Sequence, residues 1–280
     1  MTDLKSFEKL SNLYVARYMR PAWEENVGFE KDPWLSLRLF LKMYAFERQG
    51  RSPDYAFVAV DAIDENRSAP LEPASSRTVW RSFTSRLRKK LNHANNPLCP
   101  QGTTYFRFYK KAKRKSNVKK ISVIQLAGEL DRPLVVWARD RLQGGSVSDA
   151  YAQIRRINGV SDKIASFFLR DVASRFQLAP AQDRYLLQPI DVWIRFVVHK
   201  VCQDGQLKDD QCAKWIVEKS GKPECLNQGI WYFCANIAHS SQYLVLRALQ
   251  ERKFFNELVT EHLTGLRRAA GSADAYESQA

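Results

Sequence analysis

The chain has 280 residues and a net charge of +14, and it is long enough to bury a full hydrophobic core without disulfides or metal ions. Its five cysteines are odd in number, widely spaced and form no C-x-x-C pair, which excludes the common zinc and redox motifs and predicts reduced thiols. No apolar run approaches the roughly 18 residues of a membrane span, and the amino terminus opens with a polar stretch. We therefore expect a soluble cytoplasmic protein with no membrane partner.

Helices dominate the predicted structure, because apolar residues recur mainly at intervals of three and four, as they do in the stretch 35–44. The only plausible strands are the stretches 55–60 and 104–109, and both are short enough to be helix ends or loops instead. Loops are expected at 68–76 and 93–104, where prolines and asparagines cluster, with a basic helix between them. The pattern predicts a mostly α fold.

The second half of the chain begins with a helix start signal. Ser146 and Asp149 have the spacing of a capping box in which Asp replaces the usual Glu, which predicts a helix from there to about Arg156. The last stretch, 269–280, is small and polar, and we expect it to form a flexible tail.

The excess positive charge is concentrated in one segment of the sequence. Residues 73–128 contain 14 basic side chains and no Asp or Glu, so this segment carries the whole net charge. Nucleic acid is the natural partner for such a segment, because each neutralised phosphate releases condensed counterions. Two alternatives stay open: an anionic membrane, which is disfavoured because residues 107–120 lack a sustained apolar helical face, and a solvated basic loop.

A helical hairpin is predicted at residues 157–165, which read Ile-Asn-Gly-Val-Ser-Asp-Lys-Ile-Ala. Gly159 can adopt the positive φ that a short turn between helices requires, Val160 can pack back between the helices, and Ser161 can cap the second helix. The first turn of that helix presents unpaired N–H groups and the positive end of its dipole. A phosphate group fits there.

A second informative stretch is 188–195, which reads Gln-Pro-Ile-Asp-Val-Trp-Ile-Arg. Asp191 stands at the start of a strongly apolar helix, 192–201, which is expected to be buried. Carboxylates in such positions are where perturbed acid–base groups are found. Capping of the helix is the plain alternative for Asp191.

Together these two stretches resemble the helix-hairpin-helix DNA glycosylase superfamily, which includes endonuclease III and the 8-oxoguanine DNA glycosylases. Lys163 falls on the family's lysine nucleophile, and Asp191 falls on its catalytic aspartate. Asn158 stands in place of the family's Pro, Ser161 in place of its second Gly, and Trp193 where many members have His. The long connector 176–189 places the chain nearest the archaeal oxoguanine branch, and the likeness covers roughly residues 146–238.

The resemblance implies a two-lobed helical fold with a cleft between the lobes. Residues 1–60 would pack with 182–268, which begins with the catalytic Asp helix. Residues 61–176 would form the lobe that carries the basic segment and the hairpin, and 269–280 would remain a tail.

Several further residues become candidates for DNA contact under this interpretation. The DNA-binding set comprises Asn158, Gly159, Val160, Ser161, Arg88, Lys89, Lys90, Lys110, Lys111, Lys113 and Arg114. Residues 227–233 resemble the late helix that lines the base pocket in the oxoguanine branch, which nominates Gln228, Trp231 and Phe233. Aromatic residues at helical spacing more often belong to a core.

Lys163 has a plain interpretation as well. On a helical wheel it lies nearly opposite the apolar face formed by Ile164, Phe168 and Val172, so it is expected to face solvent, as most lysines do. A cation in the first turn of a helix is electrostatically disfavoured, which favours the neutral amine that a nucleophile requires.

The function that the resemblance implies is a DNA glycosylase that flips and excises a modified base, with AP-lyase activity if Lys163 attacks the sugar. The setting is base-excision repair or defence against phage DNA with hypermodified, for example glucosylated, bases. The alternative is a non-catalytic DNA- or RNA-binding module. A nuclease would require paired carboxylates and a metal ion, and no such spacing is present.

Partners and cofactors follow from the same resemblance. Double-stranded DNA is the expected partner of a monomer, associated with the nucleoid if the source is bacterial. The compact four-cysteine run of endonuclease III is missing, so no iron–sulfur cluster and no catalytic metal are expected. The family's hairpin holds a metal ion, which here would be a structural monovalent cation, and Ser161 in place of Gly is a departure at that point.

Overall fold

A computed structural model describes residues 3–46, 53–91, 121–157 and 160–277. Over these ranges the chain is helical, as the apolar periodicity predicted. Short π-helical segments at Val15–Met19, Leu41–Phe46 and Phe233–Ile237 and a 3-10 turn at Arg184–Leu187 join the helices. The α-helices are α1 Leu4–Tyr14, α2 Arg20–Glu24, α3 Pro33–Phe40, α4 Pro53–Asn66, α5 Ser75–Leu91, α6 Val123–Glu129, α7 Leu134–Gln143, α8 Val147–Arg155, α9 Asp162–Arg175, α10 Val192–Cys202, α11 Asp209–Lys219, α12 Pro223–Tyr232, α13 Gln242–Gln250 and α14 Arg252–Glu277.

The chain divides into two compact units. The central unit is Tyr18–Pro189, and the terminal unit combines Met1–Arg17 with Ile190–Ala280. The amino-terminal segment that joins the carboxyl-terminal part therefore ends at Arg17, whereas the resemblance implied a boundary near residue 60. None of the described helices is both long enough and apolar enough to cross a membrane.

Among the described helices of the terminal unit, α1 and α12 make the most extensive contact. Gly229 makes this possible, because a Cβ at that position would lie 1.7 Å from the Phe7 carbonyl oxygen. Phe7 then meets the ring of Phe233 edge-on at 5.4 Å, and Phe233 stacks on Phe255 at 4.8 Å. Tyr232, which is also fully buried, bonds His262 of α14 through its hydroxyl.

Helix α9 passes through the core of the central unit and is buried from Ile164 to Ala173. It carries a fully buried ion pair, in which Arg170 donates to Asp171 at 2.8 Å. The Tyr44 hydroxyl lies 3.2 Å from the same carboxylate, and the Arg170 guanidinium covers the Phe167 ring. A buried charge is tolerated only when it is paired and hydrogen-bonded, as these groups are.

The structure tests four local predictions, which concern α4, α8 and α14. The helix expected from Ser146 to about Arg156 is confirmed as α8, although the Ser146 side chain makes no capping hydrogen bond, so the capping box was wrong. Residues 55–60 lie inside α4 and are not a strand, because that helix packs against α5. Helix α14 continues to Glu277, past the start of the expected tail.

The expectation of a wholly buried helix after Asp191 was wrong in part. Ile194, Val197 and Val198 are buried, but Val192 is 59 % exposed at the first position of α10. One side of the helix thus faces solvent beside the candidate aspartate. The stretch 104–109 lies outside the described residues.

Candidate functional site

Asp191 is the amino-terminal cap of α10, and only one of its carboxylate oxygens makes the cap. Oδ1 accepts the N–H groups of Trp193 and Ile194, both at 2.9 Å. Oδ2 has no hydrogen bond or ion pair with any residue that the structure describes. The capping interpretation is therefore confirmed, and it leaves the second oxygen of a half-buried carboxylate available to another group.

The nearby arginine of the same helix is engaged elsewhere. Arg195 forms a two-pronged pair with Asp209 at the start of α11, with distances of 2.8 and 2.9 Å. This pair secures α10 to α11 without neutralising Asp191. The Asp191 carboxylate instead lies at the positive end of the α10 dipole, where Oδ1 accepts two backbone N–H groups.

Cys234 lies on the interior side of this carboxylate. Burial, and to a smaller extent the negative charge of Asp191, raise the pKa of the Cys234 thiol far above its ordinary value. The side chain is fully buried. Cys234 therefore stays a neutral thiol, and Asp191 stands at the border between the core of the terminal unit and its surface.

The two helices of the hairpin are braced by side chains. Asp162, the first residue of α9, accepts from Arg155 and from the Tyr151 hydroxyl of α8, both at 2.6 Å. Arg155 also donates to the Val160 carbonyl. Burial and the Asp162 carboxylate raise the pKa of Tyr151, so that its hydroxyl remains a donor. These contacts hold the start of α9 against the end of α8.

Ser161 and Val160 occupy the positions expected of them in the hairpin. The Ser161 hydroxyl caps α9 by accepting the Ile164 N–H at 3.4 Å, and Val160 is 2 % exposed. The Val160 N–H donates to Ile157, and its carbonyl accepts from Arg155, so this residue supports the turn from within. The tip residues Asn158 and Gly159, and with them the cation expected at the hairpin, lie outside the described residues.

Lys163 is solvent-exposed in the first turn of α9, as the helical wheel predicted. Its neighbour Asp162 is already paired with Arg155. Throughout the described ranges, no acidic group lies within ion-pair distance of the Lys163 ammonium. A lysine beside unpaired helix N–H groups makes a concentrated anion-binding position.

The basic segment, residues 73–128, contacts the end of α8 at Ile121, where the described chain resumes after residue 91. Ile121 donates its N–H to the Arg156 carbonyl at 3.0 Å and forms a parallel bridge with Ile157. Lys119 and Lys120 directly precede it in the chain. The predicted contact residues Lys110, Lys111, Lys113 and Arg114 lie outside the described part, whereas Arg88, Lys89 and Lys90 belong to α5, where Lys89 is exposed.

The candidate base-pocket residues are packed inside the terminal unit. Gln228 is 1 % exposed, and Phe233 is fully buried between Phe7 and Phe255. Trp231 is half-buried, with its ring 5.8 Å from that of Tyr14. Phe233 is therefore a core residue, which was the alternative to a base-pocket role.

Asp191 belongs to the terminal unit, and Lys163 with the hairpin belongs to the central unit. Sequence reasoning missed the brace formed by Tyr151, Arg155 and Asp162. The signal was present, because Tyr151 and Arg155 are four residues apart on α8, and Asp162 follows the predicted turn.

No group of three or more His, Cys, Asp or Glu side chains among the described residues has the arrangement of a metal site. No family model, curated protein or solved structure matches the chain. The candidate site is therefore argued from its own residues.

Proposed function

We propose that this protein is a DNA glycosylase of the helix-hairpin-helix type, which extrudes a modified base from duplex DNA and cleaves its glycosidic bond. The observation that carries the proposal is the Asp191 carboxylate, which caps α10 with Oδ1 and keeps Oδ2 without a partner among the described residues. A cap alone uses one oxygen. The second supplies a fixed negative charge of the kind that stabilises a cationic transition state.

DNA binding is supported by the central unit. The braced start of α9, with exposed Lys163 and a cap at Ser161, has the charge and the N–H groups that a phosphate requires. Extrusion of a nucleotide costs a few kcal/mol of lost stacking and pairing, which phosphate contacts on the flanking strand offset. The hairpin would therefore bind the DNA phosphate backbone while the base leaves the stack.

Asp191 would act on the sugar. As the bond to the base stretches, positive charge develops on the sugar ring, and a carboxylate nearby lowers the energy of that state or activates the attacking group. The two cap hydrogen bonds hold the carboxylate in one orientation, so little reorganisation accompanies the reaction. Water as nucleophile gives a free base and an intact abasic site.

Lys163 would convert this into a lyase reaction. Its amine would attack the sugar C1′ as the base departs, and loss of the ring C–O bond gives a Schiff base, which permits strand cleavage on the 3′ side. Borohydride reduction traps that intermediate as a covalent protein–DNA adduct. We expect the adduct with the native protein and not with Lys163→Arg, which keeps the charge but cannot form the imine. No adduct with the native protein would limit Lys163 to phosphate contact.

The substrate base is tested with a panel of duplexes. These carry 8-oxoguanine, uracil, alkylated bases or glucosylated bases at one position, and released base and abasic sites are both quantified. The proposal expects release from at least one member, either an oxidised purine, as in repair, or a bulky hypermodified base, as in phage DNA. Tight binding to duplexes with no release from any member would favour the non-catalytic binding module instead.

A further inference from the structure

One face of α5 carries exposed basic side chains at helical spacing. Arg77, Arg81, Ser85 and Lys89 are four residues apart and all exposed. Four residues span about 6 Å along a helix axis and turn by about 40° around it, so the four side chains form a slanted row that turns by about 120° from Arg77 to Lys89. A row of this kind can follow a row of phosphates.

The cations of α5 differ in whether acidic groups neutralise them. Arg86 faces α4, where it pairs with Glu65 at 3.1 Å and Asp61 at 3.5 Å. Arg77 and Arg81 have no such partner anywhere in the described ranges, and α5 itself contains no acidic residue. The helix thus separates a neutralised side from an uncompensated one.

The same helix begins beside the hairpin. Ser76, next to Arg77, lies with its hydroxyl 3.3 Å from that of Ser122 at the start of α6. The residue before Ser122 is Ile121, whose N–H donates to Arg156 at 3.0 Å. All of these residues belong to the central unit. The start of the basic row is therefore connected by direct contacts to the end of α8.

We propose that the Arg77 and Arg81 face of α5 is a second phosphate-binding track, which takes the backbone of the same DNA duplex that the hairpin holds. The proposal rests on DNA as the partner in the proposed function. Guanidinium groups suit phosphate oxygens, because they donate two parallel hydrogen bonds. The track holds and orients the duplex without reading its sequence.

A membrane is the less suitable partner for this face. Binding to a bilayer surface requires apolar side chains that insert below the headgroups. On α5 the apolar residues Val79 and Phe83 are fully buried against the protein. Among the described apolar side chains of α5 only Trp80 is partly exposed, and a charged face with so little apolar surface favours a hydrated polyanion.

The test measures the salt dependence of duplex binding by the full-length protein. Each phosphate contact contributes about −0.9 to the slope of log K against log salt concentration, so Arg77→Gln and Arg81→Gln should each make the slope less negative by about 0.9. The double variant should bind about 60-fold more weakly at 0.1 M salt if it equals the native protein at 1 M. The matched control is Arg86→Gln, which removes the same charge from the neutralised side and should leave the slope unchanged.

Three results would overturn the inference. Slopes that are unchanged in Arg77→Gln and Arg81→Gln exclude contact, and an equal change in Arg86→Gln reduces the effect to net charge. Binding to anionic lipid vesicles that depends on Arg77 and Arg81 assigns the face to a membrane. The proposed function is judged separately, since it fails if the native protein releases no base from any duplex of the panel, whatever the salt slopes of the α5 variants.

Discussion

The two oxygens of the Asp191 carboxylate have different surroundings. Oδ1 is saturated by the N–H groups of Trp193 and Ile194, whereas Oδ2 has no partner within the described ranges. A capping residue can be Asn as readily as Asp, because both place an acceptor oxygen at the same point. The structural and the chemical roles of this side chain can therefore be separated by substitution.

Replacement of Asp191 by Ala removes the cap, and replacement by Asn retains it. We expect Asp191→Ala to lower the free energy of unfolding by about 1 kcal/mol, the usual value of an amino-terminal cap. Asp191→Asn should stay close to the native value. Chemical denaturation of the three proteins checks this, and equal losses in both variants would show that the negative charge and not the hydrogen bonds stabilises α10.

His262 gives the terminal unit a dependence on pH. Burial, followed by the charges of Arg17 and His239, lowers its pKa from the ordinary 6.5. The folded state then binds fewer protons than the unfolded state below about pH 7. Stability should decrease as the pH falls through 6.5 and level off below the folded-state pKa.

This dependence is measured by thermal unfolding between about pH 5 and pH 8. His262→Gln, which keeps a hydrogen-bonding group beside the Tyr232 hydroxyl, should flatten the curve in that window. A native curve and a variant curve of the same slope would mean that other groups carry the pH dependence.

Two helix pairs are positioned by specific contacts between their helices. In the hairpin the contacts cross a short turn, and in the α1–α12 pair they join residues that are far apart in the sequence. The hairpin is fixed by Arg155 and Tyr151 on Asp162. The α1–α12 pair is fixed by the absence of a side chain at Gly229. One residue is central to each approach: Asp162 in the hairpin and Gly229 in the α1–α12 pair.

Gly229→Ala should disrupt the approach of α1 to α12. The new Cβ would lie 1.7 Å from the Phe7 carbonyl oxygen, so one of the two backbones must move. We expect a loss of about 3 kcal/mol in the free energy of unfolding, the upper part of the range for overpacked sites. Urea denaturation measures it.

Gly265→Ala is the matched control, because Gly265 is also helical and nothing lies within 4 Å of its Cβ position. Alanine there should stabilise the protein by roughly 1 kcal/mol through helix propensity. Equal effects at both positions would contradict the close packing assigned to Gly229.

Across the whole molecule, apolar periodicity predicted the helical class and the exposed position of Lys163, and helix-start signals predicted helix α8 and the Ser161 cap. These depend on residues within a few positions of one another. The stretch 55–60 was a plausible strand that was also short enough to be a helix end or a loop, and packing against α5 favours the helix. Packing between elements decides such cases.

Other features could not be predicted because they join distant parts of the chain. The Tyr44 contact with Asp171, the Ile121 bridge to Ile157 and the close approach of Gly229 to Phe7 are of this kind. The neutralisation of Arg86 on α5 is another such feature, because its partners Asp61 and Glu65 lie on α4. The motif indicated Asp191 as the candidate aspartate. The different hydrogen bonding of its two carboxylate oxygens could not be predicted from the sequence.

Under the proposed function, base release requires the carboxylate charge of Asp191. The most direct measurement is the single-turnover rate of release from the preferred duplex, with native protein, Asp191→Asn and the surface control Asp210→Asn at saturating concentration. We predict a loss of at least a hundredfold in Asp191→Asn, with unchanged DNA affinity and stability, and a native rate in Asp210→Asn. Release by Asp191→Asn at the native rate would show that Asp191 only caps α10.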